Sequence, residues 1–242
     1  MLDRVKTGIP GFDELLGEGI ERGNVVLVAG GAGTGKTNFG CHFLYNGMIL
    51  GEKGLYISFE EDVEQIKKHV VRFGMDFRRF ENQGKAKFVK VDVFYISRAI
   101  EAIFERSRGE LEVNEGLPEL LPQDFKPDRI VIDSLSALAA VMKEEEYRYF
   151  LFMLFSEFKK IGATVIALAE TKQEPTEYSR TGVEEFLGDG VIVLYNIKRG
   201  DVRTRAVEIL KLRGSAHEQK IVPFKITERG IVVYPKQEVF TI

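Results

Sequence analysis

The sequence predicts an α/β domain with a mostly parallel central sheet, helices on both faces, and extra antiparallel strands at its C-terminal end. Three observations lead there. Short β-branched runs alternate with segments of helical periodicity through the first two thirds of the chain, which calls for parallel crossover units. The last third is strand after strand with short turns, which calls for antiparallel pairing. A chain of 242 residues with 44% hydrophobic content can build one sizeable core, and no stretch has the composition of a linker, so residues 1–242 read as one domain.

The elements follow in order. NVVLVAG at residues 24–30 is a β-branched run ending in glycines, hence a buried strand, and GKTNFGCHFLYNGMIL after it carries apolar residues at helical spacing. KGLYISFEED repeats the arrangement, with a strand ending near Phe59 and acids opening a helix that contains Val63, Ile66 and Val70. Further strands are expected at KAKFVKV, RIVIDSL, ATVIALAE, GVIVLYNIK, RAVEILKLR, KIVPFKI and GIVVYP. Helices are expected at ISRAIEAIFERSRG, SLSALAAVM and EEEYRYFLFMLFSEFKKIG. The acidic stretch 109–128, with three prolines, reads as a surface insertion.

Composition excludes several classes. No apolar run approaches the roughly 20 residues of a membrane span, and the N-terminus lacks the apolar core of a signal peptide, so a soluble cytoplasmic protein is expected. The single Cys41 falls in a helical pattern as a small buried side chain, and His42 and His69 are not spaced with other ligands for a metal site. A net charge of −3 argues against tight nucleic-acid binding, although a ring can hide a basic pore inside an acidic exterior.

GGAGTGKT, Gly30 to Thr37, matches G-x-x-x-x-G-K-[ST] directly after a strand pattern and directly before a helical one. Gly30, Gly31, Ala32, Gly33, Thr34 and Gly35 form a loop whose backbone amides can turn toward phosphates without an obstructing Cβ, and a helix starting near Lys36 points its positive end at the same place. Lys36 then reaches the β- and γ-phosphates, the Thr37 hydroxyl ligates Mg²⁺, and Asn38 lies beside it in the first turn. RIVIDS places Asp133 at the carboxyl end of a buried strand, where open α/β sheets put ligand-binding groups, and Asp133 is expected to hold Mg²⁺ through water. The competing role, capping the next helix, can fall to Ser134 instead. In SFEED, Glu60 is the expected base for an attacking water, with Glu61 as assistant or alternative; Asp62 suits the helix dipole.

One late strand stands apart. In VEILKLRGSAH, residues 207–217, strict alternation would put Ile209, Lys211 and Arg213 on one face and Leu210 and Leu212 on the other. Two adjacent cations in a strand beyond the parallel core need not serve their own phosphate loop. They form either a solvated edge face or a clamp for a strongly negative group.

TGIPGFDELLGEGIERGNVVLVAGGAGTGKT, YISFEED, RIVIDSLSAL, VEEFLGDGVIVL and VEILKLRGSAH, in that order, resemble the ATPase domain of KaiC within the RecA and RadA superfamily. The resemblance covers nearly the whole chain apart from 109–128. It implies a RecA-type core, ATP or ADP with Mg²⁺, and a ring-shaped homo-oligomer, usually hexameric, with nucleotide between subunits. It also implies catalytic carboxylates at Glu60 and Glu61, a γ-phosphate sensor at Glu170 or Thr171, and a neighbour's Lys211 and Arg213 at the γ-phosphate. His217 matches a position that approaches the base of a neighbour's nucleotide, with a plain surface histidine as the other reading.

The chain also departs from the family pattern. KaiC carries two such domains and phosphorylates itself in the second, whereas this sequence shows one domain and no counterpart of the adjacent phosphorylated Ser and Thr, so a clock role is not carried over. The stretches matching the DNA-binding loops of RadA are SALAAVMKEEEYR, which is acidic, and TKQEPTEYSRTG, where Lys172 and Arg180 face Glu174 and Glu177. Between Tyr195 and Lys236 there are ten Lys and Arg against four Asp and Glu, a surplus that suits a subunit interface. The expectation is a Mg-dependent ring ATPase with a regulatory or signalling task. The alternatives are a nucleotide-binding module with negligible turnover, which hands a signal to a protein partner, or a RadA-like DNA-binding accessory.

Overall fold

The computed structural model describes residues 3–107, 120–172, 178–179 and 181–239. Arg4–Val5 (β1) pairs antiparallel with Ile20–Glu21 (β2) around a short helix at Phe12–Leu15 (α1). Val25–Gly30 (β3) leads into Lys36–Ile49 (α2), and Gly54–Ser58 (β4) into Val63–Val71 (α3) and Arg78–Asn82 (α4). Ala86–Lys90 (β5) precedes Val93–Ser107 (α5), and Arg129–Asp133 (β6) precedes Leu135–Val141 (α6) and Glu144–Ile161 (α7). Thr164–Glu170 (β7) and Val183–Leu187 (α8) are followed by Gly190–Arg199 (β8), Val202–Leu212 (β9), Val222–Thr227 (β10) and Gly230–Val233 (β11).

Among the described residues, nine strands form the main sheet in the order β11-β10-β9-β8-β3-β7-β6-β4-β5. From β8 to β5 every pairing is parallel, and β9, β10 and β11 are added antiparallel beyond β8, as the sequence predicts. β3 lies inside the sheet with both faces covered, so every residue from Val25 to Gly30 is buried and the strand reads as a continuous apolar run. Phe39, Phe43 and Leu44 of α2 pack on one face with Ile66 and Val70 of α3; Ile96 and Ile100 of α5, Leu138 of α6 and Phe150 of α7 pack on the other. Among the described residues no helix is long and apolar enough to cross a membrane.

Local chemistry sets the boundaries. Asp62 caps α3 by accepting from the Glu64 and Gln65 backbone N–H groups, and α7 stops at Gly162, whose φ of 76° suits only a residue without Cβ. Arg129, 2% exposed at the start of β6, donates to Glu52 Oε2 at 2.5 Å, Phe43 O at 2.8 Å and Lys6 O at 2.9 Å. It fixes β6 against α2, which later supplies the site with a residue from each.

Of the stretch 109–128, residues 120–128 are described: Leu120 and Phe125 are buried in the core on the α5 side, and Gln123, Asp124 and Lys126 are exposed. One expectation is corrected. In β9 the strict alternation fails. Val191 pairs with Lys211 but Ile192 pairs with Ile209, so Leu210 is an extra, bulged residue. Ile209 and Leu212 therefore both reach the core that contains α2, Leu210 is 42% exposed, and Lys211 no longer shares a face with Ile209.

Candidate functional site

The loop between β3 and α2 has the form its glycines anticipate. Gly33 and Gly35 hold φ of 73° and 98°, and a Cβ on Gly30 would stand 2.6 Å from Thr34 Oγ1. Buried Thr34 closes the loop by donating to Gly31 O at 2.9 Å, while Ala32 and Gly33 stand exposed at its tip. Lys36 Nζ donates to Gly30 O at 2.9 Å and Gly31 O at 3.2 Å, so the ammonium is held over the loop. Burial lowers the Lys36 pKa, and the nearby Glu170, Asp133 and Glu60 carboxylates oppose that shift.

Opposite the loop stand the carboxylates. The parallel register pairs Ser58 of β4 with Asp133 of β6, so the residues just past both strand ends meet at the carboxyl edge of the sheet. Thr37 Oγ1 donates to Asp133 Oδ2 at 2.9 Å. Asp133 thus does not cap α6. Neither does Ser134: it occupies the N-cap without a side-chain cap bond, and its hydroxyl donates to Glu60 Oε2 at 3.4 Å. The Glu60 pKa is raised, first by burial and then by Glu170 and Asp133. Glu61 turns the other way, toward His69 Nδ1 at 3.3 Å. Glu60, Glu61, Lys36, Thr37 and Asn38 share a cleft of about 290 Å³ with Asp133 and Glu170. Of the two candidate sensors, Glu170 lines this cleft, and Thr171 donates its backbone N–H to Gly30 O at 3.3 Å.

Lys211 and Arg213 are elsewhere. The antiparallel course of β9 carries them to the opposite edge, where Asp189 accepts from Val25 N at the start of β3, about 17 Å along the strand from the loop. Lys211 Nζ donates to Glu185 O at 3.0 Å and Gly188 O at 2.9 Å, and Arg213 Nη2 donates to Phe186 O at 3.3 Å. His217 lies four residues past Arg213, its Nδ1 3.4 Å from Glu218 O. Arg180 lies outside the described residues.

Two residues at the site carry no distinct signal in the sequence. Tyr56, wholly buried in β4, donates its hydroxyl to Asp133 Oδ2 at 2.5 Å; only the strand register, which pairs it with Val131, brings it there. Arg205 donates from Nε to Gly33 O at 3.0 Å, where the surplus of cations after Tyr195 pointed to the region but not to the residue.

The oxygen set fits Mg²⁺. Thr37 gives its proton to Asp133 and keeps lone pairs for a cation, and among the described residues no group of three His, Cys, Asp or Glu side chains could hold a metal alone. An ion that takes one or two protein oxygens and completes its shell from phosphates and water suits such a site.

Comparison with known proteins gives the same reading of the fold. Residues 5–238 match the family described as ATPase: KaiC. Over 238 residues the chain is 36% identical to the circadian clock protein KaiC3 of Synechocystis, covering 97% of this chain and 46% of that protein, so it spans about half the length of such relatives. It is 34% identical to the UPF0273 protein of Thermotoga maritima over 98% of both chains. The crystal structure of a KaiC-like protein from Pyrococcus horikoshii OT3 superposes with a TM-score of 0.79 at 35% identity, covering 97% of this chain and all of that one. With the phosphate loop, the β6 aspartate and the sheet order all in place, the chain belongs to the KaiC family of ATPases, in the RecA superfamily.

Proposed function

We propose that the protein hydrolyses ATP with Mg²⁺ in a homo-oligomeric ring whose active sites lie between subunits, and that turnover serves a regulatory or signalling task. The convergence of Lys36, the Thr37–Asp133 pair and Glu60 on one glycine loop carries this reading. Amides of the loop and the N-terminus of α2 hold the phosphates, and Lys36 exchanges the carbonyls of Gly30 and Gly31 for phosphate oxygens. Mg²⁺, when bound, would be held by Thr37 and, through water, Asp133, and supplies charge neutralisation between the β- and γ-phosphates. Glu60, kept more basic than an ordinary carboxylate, takes a proton from the attacking water.

The ring part of the proposal is supported by charge and place. Each chain carries Lys211 and Arg213 on the edge away from its own loop, and a carboxylate-rich cleft on the other. A second copy brings a cation pair to the γ-phosphate, a contribution worth roughly 10³-fold or more in related phosphoryl transfers.

Phosphate release by the pure protein tests the enzyme reading: Glu60→Gln is expected to lower it by about 10²-fold or more. Release equal to that of Glu60→Gln would leave only a nucleotide-binding module. Solution mass with and without ATP tests the ring, and unchanged turnover in Lys211→Ala/Arg213→Ala would remove the trans role.

A further inference from the structure

We propose that Asp189 is a positioning residue for the subunit interface, holding the Lys211–Arg213 pair in charge and place to act on the nucleotide of a neighbouring copy. This rests on the ring reading above. Asp189 is buried, and both of its oxygens are used: Oδ1 accepts from Lys159 Nζ at 2.9 Å and Arg213 Nη1 at 3.4 Å, and Oδ2 accepts from Val25 N at 3.0 Å. Its own carbonyl accepts from Arg213 N at 2.8 Å, so Arg213 is tied to Asp189 through main chain and side chain together.

One carboxylate thus stands among Lys159, Lys211 and Arg213, a local surplus of positive charge facing outward. Arg213 is half exposed at that edge, and Lys211 spends two of its three protons on the carbonyl end of α8. Burial and the adjacent guanidinium both favour loss of the Lys211 proton, and Asp189 opposes them. A buried carboxylate needs cations beside it whatever its further task, and here those beside Asp189 include both members of the pair. The arrangement keeps the two cations side by side at that edge, with Arg213 fixed through main chain and side chain.

Asp189→Asn keeps the shape and an acceptor for Val25 N while removing the charge. Alone, it is expected to lose tenfold or more in turnover while a fluorescent ATP analogue binds its phosphate loop within about twofold of the wild type. Mixed rings then separate a trans role from a fold defect. Co-refolded in equal amounts with Glu60→Gln, whose cation pair is intact, it is expected to regain about a quarter of the wild-type rate, since one interface in four pairs a sound loop with a sound pair. Lys211→Ala/Arg213→Ala mixed with Glu60→Gln is the control. If the control recovers and the Asp189→Asn mixture does not, the role of Asp189 is overturned and the trans pair stands. If neither recovers, the trans reading falls and this proposal with it. Wild-type turnover in Asp189→Asn alone overturns it directly. Should Asp189→Asn lose analogue binding, Asp189→Glu, which keeps the charge, takes its place: turnover no better than that of Asp189→Ala, with both binding the analogue, is the overturning result.

Discussion

The Thr37 hydroxyl donates to Asp133 Oδ2 at 2.9 Å, joining the first turn of α2 to the carboxyl end of β6 across 96 residues of sequence. The bond orients a serviceable oxygen pair before any cation arrives, and Tyr56 holds the same carboxylate oxygen from below. Asp133→Asn keeps the shape and removes the charge. The expected result is a tenfold or greater rise in the Mg²⁺ concentration needed for tight ATP binding, with binding in excess chelator little changed. Calorimetric titration across Mg²⁺ concentrations reads it.

The phosphate loop offers a test that separates backbone strain from crowding. At Gly35, φ is 98° and a new Cβ would lie 2.9 Å from Ile226 Cδ1; at Gly23, φ is 83° and nothing lies within 4 Å. Gly23→Ala is expected to cost about 1 kcal/mol for the left-handed backbone alone, with nucleotide affinity unchanged. Gly35→Ala adds the clash at the start of α2 and is expected to cost about 1–3 kcal/mol and to weaken nucleotide binding. Urea unfolding and ADP titration of the two variants give the comparison.

The bulge in β9 makes its own prediction. Leu210 is 42% exposed and Leu212 is 5% exposed, although strict alternation would have given them one environment. Leu212→Ala is expected to destabilise the fold by about 2–4 kcal/mol, and Leu210→Ala by about 0.5 kcal/mol. Equal losses in chemical denaturation would contradict the register.

That strand also marks where the sequence stops being legible. Runs long enough to show a period, such as those of β3 and α7, were readable because burial on one or both faces dictates residue type over many positions. The two-residue strands β1 and β2 carry no period, and a bulge is one residue long, so neither leaves a trace in periodicity. The same division holds at the site. Gly30 to Thr37 and Asp133 were readable because phosphate chemistry demands those residue types at strand ends. Tyr56 and Arg205 enter through register and hairpin geometry, and Ser134 turned from expected cap to partner of Glu60 because β4 and β6 are adjacent in the sheet.

His42 links α2 to the last hairpin and makes stability depend on pH. Its Nε2 accepts from Ile231 N at 3.0 Å, and a Cβ on Gly230 would fall within 1.8 Å of the ring, so the turn between β10 and β11 closes directly over the imidazole. An acceptor nitrogen must be unprotonated, and burial lowers its pKa from 6.5 to about 4. The unfolded chain therefore binds the proton first. Stability from this group is complete above pH 6.5 and is lost as pH falls from about 6.5 to about 4, amounting to about 3 kcal/mol over that window. His42→Gln supplies an amide oxygen as acceptor and cannot titrate. It is expected to lower stability modestly at pH 7.5 and to remove most of the additional loss that the wild type suffers between pH 7 and pH 4.5. Urea unfolding of both proteins across that range tests it, and parallel pH profiles would show that the imidazole does not carry the effect.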